Sequence, residues 1–237
     1  MTTASPVSAR PVGTLIAVGA LILGVGLLLG PDTGSDTVEA LENLEGFRTR
    51  YVVTNAVDIV GVVVMVAGLV GLARLQMLGS GGLLPLLGAT ASALGGLGLV
   101  LTLVLQSAVD PELAERYAAA SGDARAMHLA VAEAIFDLDA VVFGVAFLFT
   151  MAGIALLVVA SLPGIAGLPV LNRPFLLVGV VLAGGASGTA LLVPFGAPEP
   201  YAVVESILGL IVLVWLVPFG VLLARASNTV APEHRGA

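Results

Sequence analysis

Residues 54–73 read TNAVDIVGVVVMVAGLVGLA and are closed by Arg74. These twenty residues carry a single charge, Asp58. A helix rises about 1.5 Å per residue, and about 20 apolar residues cross the roughly 30 Å hydrocarbon core of a bilayer. The stretch therefore predicts a transmembrane helix, and five more of its kind flank it. They cover residues 11–30, 83–105, 134–161, 174–193 and 202–224, with a polar tail at 226–237. Pro31, Pro163, Pro194 and Arg225 stand at the ends of four of them. The predicted fold is all-α, a polytopic transmembrane bundle of six helices in one integral membrane domain. The first stretch follows Arg10, as the apolar run of a secretory leader would. No A-x-A cleavage site follows it, and it outruns the usual leader core of about 7–15 residues, so a retained helix is predicted.

Composition agrees. The 237 residues are 58% apolar and 11% charged, with a mean hydropathy of +1.10. Soluble chains carry about 25% charge. Disorder, collagen and coiled coil are excluded, and a net charge of -7 would repel nucleic-acid phosphate. The chain has no Cys, and its nine basic residues are all Arg. That removes disulfides, thiolate metal sites and every Schiff-base chemistry that needs Lys, retinal and pyridoxal included. Only two His are present, His128 and His234, too few for a zinc site of three or four His. No cofactor or metal is expected.

The loops alternate in length and charge. Arg10, Arg74, Arg173, Arg225 and Arg235 fall on one side, with Glu233 as its only acid. The other side holds Arg48, Arg50, Arg116 and Arg125 against Asp32, Asp36, Glu39, Glu42, Glu45, Asp110, Glu112, Glu115, Asp123 and Glu199. Basic residues accumulate on the cytoplasmic side, and acids carry little weight in that rule. The expectation is a multi-pass protein of the cell membrane with both termini in the cytoplasm. Tyr51, Tyr117 and Tyr201 fall on the outer side, where amphipathic rings favour the interface. An acidic outer face also suits an organism living in high salt, where repulsion is screened.

The long outer loops carry helix signals. Asp36-Thr37-Val38-Glu39 has capping-box spacing, and Val38, Leu41, Leu44, Phe47 and Tyr51 then recur at helical intervals. Asp110-Pro111-Glu112 reads as a second start, with Pro at the first helical position. Ser121-Gly122-Asp123 breaks that helix and caps the next. Two short amphipathic helices on the outer side are predicted, packed on the membrane surface or closing over an outer cavity.

Depth singles out the candidate site. Asp58 lies about 6 Å below the outer boundary of its span, with Asn55 just above. His128, Glu133, Asp137 and Asp139 lead into the fourth span, Glu205 begins the sixth, and Gln106 ends the third. Acids at the start of spans four and six suit a helix N-terminus in headgroup water. Asp58 is different, because an ionisable group inside a span faces a partner or a cavity. Arg48, Arg50, Arg116, Arg125 and His128 are the partners available to it. Whether the carboxylates converge laterally is not encoded in their depth.

Other motifs yield to plainer readings. Gly185-Ala186-Ser187-Gly188 has the nucleophile pattern of rhomboid-type intramembrane proteases, but the last span offers no His base. Gly184, Gly185 and Gly188 read instead as close helix packing, as do Gly26–Gly30, Gly88–Ser92 and Ala91–Gly95. His128, Glu133, Asp137 and Asp58 match no specific metal motif. Residues 67–72 and 152–157 echo each other weakly, as two parallel helical hairpins would, and chance in an apolar chain explains that as well.

One resemblance remains. Phe136-Asp137-Leu138-Asp139 with Gly144 opens span four, and Leu162-Pro163 and Arg173-Pro174 bracket the short inner loop. With six spans and a long outer loop after the first, this layout is similar to domain-of-unknown-function family 4386. The resemblance implies the six-helix fold and no activity, and aromatic residues are scarcer here than in that family. The functional expectation is a non-catalytic membrane protein whose outward-facing acidic pocket binds a small ligand, a lipid headgroup or a protein partner. The alternatives are a proton- or cation-coupled transporter using Asp58, and a membrane-embedded lipid hydrolase. Expected partners are membrane lipids and either a second copy of the chain or another membrane protein.

Overall fold

The computed structural model describes residues 8–31, 36–80, 82–164, 171–192 and 200–226, without the side chains of 79, 80, 192, 200–203 and 205. Asp32, Glu199, Glu233, His234, Arg235 and the side chains of Tyr201 and Glu205, all named above, lie outside the described residues. Six helices follow one another: α1 (Ala9–Leu29), α2 (Thr37–Ser80), α3 (Leu83–Ala119), α4 (Gly122–Ser161), α5 (Arg173–Leu192) and α6 (Pro200–Ala226). Each is long and apolar enough to cross a membrane, so the chain is a multi-pass membrane protein. Neighbours in sequence pack side by side, and α6 returns to α1, which closes the six helices into a ring. α2 also reaches across to α4. α1 is built into this ring, with Val12, Ile16, Ala20 and Leu23 in the common core.

The helices differ in length in a way that shapes the molecule. α1 has 21 residues and α5 has 20, enough for about 30 Å each. α2, α3 and α4 have 44, 37 and 40 residues, up to about 65 Å. Their excess lies at one end of the bundle, formed by the start of α2, the end of α3 and the start of α4. There Leu41, Leu44, Leu113, Ala114, Tyr117 and Ala132 make a second core, separate from the main one. The expected amphipathic stretches are thus present and helical at one end. They are continuous with spans two and three, and they bury their apolar faces against each other and against α4.

Tertiary packing explains why they do not break. Asp36 caps α2 as expected, with Oδ1 accepting from the Glu39 N–H at 2.9 Å. The chain then bends once, at Phe47 (φ -118°, ψ 16°), and continues into the membrane. Asp110-Pro111 was expected to start a helix, but α3 runs through Pro111. Proline lacks the N–H that would pair with the Ser107 carbonyl, a defect that costs about 3 kcal/mol in a helix interior. Burial of Leu113, Ala114 and Tyr117 on the far side offsets it. The break at Ser121 occurs as read, with Gly122 in the left-handed region at φ +57°.

Inside the membrane the helices meet backbone to backbone. A Cβ on Gly19 of α1 would overlap the Met65 backbone of α2. One on Gly95 of α3 would overlap the backbone of Thr150 on α4, and one on Gly13 of α1 would overlap the Gly220 carbonyl of α6. The expectation for Gly184, Gly185 and Gly188 is corrected. Among the described residues no other helix comes near Gly184 or Gly188, and Gly185 meets only the tip of Leu208. α5 packs through Gly179, which accommodates the Trp215 ring, and through the buried Ala183, Ala186 and Ala190. The echo between the two hairpins therefore does not extend to packing, because Gly95 and Gly96 are buried at interfaces.

Gly19→Ala should destabilise the bundle by about 1–3 kcal/mol, because the Met65 backbone cannot move aside. Gly24→Ala, with open space around it, should be neutral or stabilising. Thermal unfolding of both variants in the same detergent tests this, and equal melting temperatures would refute the close α1–α2 approach.

Candidate functional site

Between α1, α2, α3, α4 and α6 lies a cavity of about 320 Å³. It sits toward the capped end of the membrane region, where α1 and α6 no longer meet as closely as at Gly13 and Gly220. Leu23, Leu27, Val62, Met65, Leu99, Phe143, Phe147, Met151 and Leu213 make most of its wall apolar. Leu27, Ala140, Phe143 and Ser206 of the wall are exposed and form its rim. Gly209 sits against the Phe147 ring, which brings α6 onto α4.

Asp58 is the ionisable group among the described residues of this wall. It is 8% exposed, and its Oδ1 accepts no hydrogen bond among the described residues. Gly26 of α1 makes room for the carboxylate, since a Cβ there would collide with Oδ1. Thr150, the other buried polar residue in the wall, donates to the Ala146 carbonyl at 2.9 Å and so is satisfied within its own helix. An unpaired polar atom is thus held at the edge of an apolar cavity. Such a group costs about 1–3 kcal/mol if it stays unpaired.

The cations expected to pair with Asp58 are engaged elsewhere. Arg48 bonds Glu115 at 2.8 Å, Arg116 bonds Glu112 at 2.9 Å, and Arg125 reaches Glu42 at 3.4 Å and stacks over Tyr117. Arg50 donates to the Leu29 and Gly30 carbonyls, which fastens the end of α1 to α2. These pairs are exposed and contribute about 0–1 kcal/mol each. They tie the cap together and leave the buried carboxylate without a counter-charge among the described residues.

Of the other candidates with described side chains, Asn55, Gln106, His128, Glu133, Asp137 and Asp139, none lines the cavity. Asn55 is buried one turn above Asp58 on α2. Gln106 of α3 donates to Asp139 of α4 through a short hydrogen bond, an interlock just beneath the cap. Glu133 and Asp137 are exposed and His128 is half-buried, all on the extension of α4. Among the described residues no three His, Asp or Glu side chains are placed to hold one metal ion, so the combination of His128, Glu133, Asp137 and Asp58 is not assembled. Ser187 donates back to the Ala183 carbonyl at 2.7 Å, which leaves its hydroxyl committed within its own helix.

Two polar interlocks were not read from the sequence. The Tyr51 hydroxyl donates to Asp110 Oδ2 at 2.7 Å, joining α2 to α3 where the cap meets the membrane region. Tyr51 had been read as an interfacial ring and Asp110 as a helix cap. At the opposite end, Gln76 donates to the Leu157 carbonyl and to Ser161 Oγ, both at 2.7 Å, linking α2 to α4. Gln76 falls two residues beyond Arg74, where the span had been ended. The signal that could have found it is its position one turn after the buried Leu72 on the same helical face.

Fold and site together define a class: a six-span all-α membrane protein with an extramembrane helical cap and an apolar cavity that presents one buried carboxylate. Comparison with known protein families, with curated proteins and with solved structures finds no match. The layout shared with the six-helix family named above is therefore not backed by a family match, and no relative lends this chain an activity.

Tyr51→Phe removes the donor to a buried carboxylate and should cost about 1.5–3 kcal/mol. Hydrogen exchange should quicken at residues 41–51 and 113–117 and stay unchanged at 62–72. Unchanged exchange in the cap would show that this bond does not hold it.

Proposed function

We propose that the protein is a non-catalytic receptor for a lipophilic amine, whose cationic hydrogen-bond donor meets Asp58 in the cavity. The observation that carries this reading is the buried carboxylate oxygen without a partner among the described residues, in a largely apolar wall. A cavity of about 320 Å³ stands at the small end of ligand pockets, which run from about 300 to 1,000 Å³ with apolar walls and few polar groups. A protonated amine on an apolar chain supplies both the missing donor and the counter-charge for Oδ1 and fills the rest with methylene groups. The exposed rim residues Leu27 and Phe143 make approach from the bilayer the natural route.

Binding is favoured over transport by what lies beneath. Toward the other end the buried residues are apolar, such as Ile16, Leu72, Leu216 and Phe219, or neutral and polar, Ser92, Gln76 and Ser161, and among the described residues none of those buried there is ionisable. A proton- or cation-coupled path through Asp58 calls for a further ionisable group along it there. Among the described residues of the cavity wall there is no His to act as a base, which counts against a hydrolase. The arginine distribution supports placing the cap outside the cell membrane with both termini in the cytoplasm.

A ligand bound only by the folded state raises its stability. Dodecylamine should therefore raise the melting temperature of the detergent-solubilised protein more than dodecanol does. Asp58→Asn should abolish that difference. Asp58→Ala should stabilise the unliganded protein by about 1–3 kcal/mol, because it removes the unpaired group. Equal shifts from amine and alcohol on the wild type would overturn the proposal.

A further inference from the structure

At the end of the bundle away from the cap, a second cleft of about 360 Å³ runs between α1 and α6. Arg10 and Arg225 stand on its two sides, and Thr14, Ala17, Val18, Val221 and Ala224 form its floor. Both arginines are exposed, and neither has an ion-pair partner among the described residues. The four arginines at the capped end, by contrast, are all bound to carboxylates or carbonyls. The pair is held at fixed separation by the tightest contact in this interface. Gly13 lies against the Gly220 carbonyl and the Ala224 N–H, so α1 and α6 meet backbone to backbone between the two side chains. A Cβ at either glycine would push them apart.

Two further features favour an anion here. The cleft contains the start of α1, whose N-cap residue Ser8 makes no side-chain cap and whose first turn contains no acid. The positive end of that helix dipole is therefore not neutralised by its own sequence. Below the arginines, Val18 and Val221 are exposed at 42% and 37%, so the cleft continues as an apolar track along the lipid-facing side. Guanidinium groups bind phosphate oxygens in forked pairs, and two of them over an apolar track match a phosphate that carries a hydrocarbon chain.

We infer that the α1–α6 cleft binds the phosphate group of an anionic phospholipid, with Arg10 and Arg225 on the phosphate and an acyl chain along Val18 and Val221. The site is independent of the Asp58 cavity. It differs from general attraction of arginines to headgroups because it requires both side chains of one cleft. Arg74 of α2, also exposed and on the same end, lies outside it and serves as the control.

Native mass spectrometry of full-length protein from nanodiscs of mixed phosphatidylglycerol and phosphatidylcholine tests the inference. Wild type should retain one phosphatidylglycerol. Arg10→Gln and Arg225→Gln should each lower its retention about tenfold, Arg225→Lys less, and Arg74→Gln not at all. Circular dichroism and melting temperature confirm that the variants fold, and because both arginines are exposed these should be unchanged. Added inorganic phosphate should fail to displace the lipid. Equal loss in Arg74→Gln, or no loss in either cleft variant, would overturn the site. Displacement by inorganic phosphate alone would overturn the lipid assignment and leave a free-anion site.

Discussion

Close backbone approach between helices is the constraint on which the rest of this structure depends. Lipid chains are as apolar as leucine, so helices in a membrane gain little from hiding apolar side chains and associate through tight contact instead. Here glycines supply it at three of the interfaces in the ring, Gly19 on Met65, Gly95 on Thr150 and Gly13 on Gly220. Where the glycines meet backbone, the helices are locked. Where α1 and α6 leave Gly13 and Gly220 behind, they and α4 bound a cavity instead. Gly26 belongs to the same set, but its missing side chain admits a carboxylate rather than a neighbouring backbone. One packing rule thus accounts for both the closed end of the bundle and the open one.

The cap follows from helix length. Three neighbouring helices overrun the bilayer at the same end, and each carries an apolar stripe that water would otherwise meet. Packing Leu41, Leu44, Leu113, Ala114, Tyr117 and Ala132 together removes that exposure. It also fixes α2 above Asp58 through the Tyr51–Asp110 bond and fastens α1 through Arg50. Gln76 does the corresponding work at the opposite end by tying α2 to α4. α2 is therefore held above and below the position where it presents Asp58, which is how a buried, unpaired carboxylate stays in place.

Much of this was legible in the chain itself. The six spans, the cap at Asp36, the break at Ser121 and the enclosure of Asp58 follow from length, periodicity and the high energy of a charge in lipid. Four things were not legible, each for a physical reason. Asp110-Pro111 carries a local start signal, yet packing of the residues beyond it outweighs the lost hydrogen bond. Asp139 and Asp58 share a depth but not a face, and depth alone does not determine lateral position. Gly184 and Gly188 have the same spacing as the glycines that pack, and spacing does not say which side of a helix meets a neighbour. Gln76 was hidden for a simpler reason, since Arg74 reads as the end of a span while the helix and its buried face continue past it.

The central claim is that Asp58 faces a cavity reachable from the bilayer and has no partner among the described residues. Dicyclohexylcarbodiimide, a membrane-soluble reagent for carboxyl groups, tests it directly in intact membranes, with the modified residue located by peptide mass spectrometry. Modification should fall on Asp58 and should be absent with a water-soluble carbodiimide applied from either side. An unmodified Asp58 beside labelled cap residues such as Glu112 and Glu115 would contradict the account.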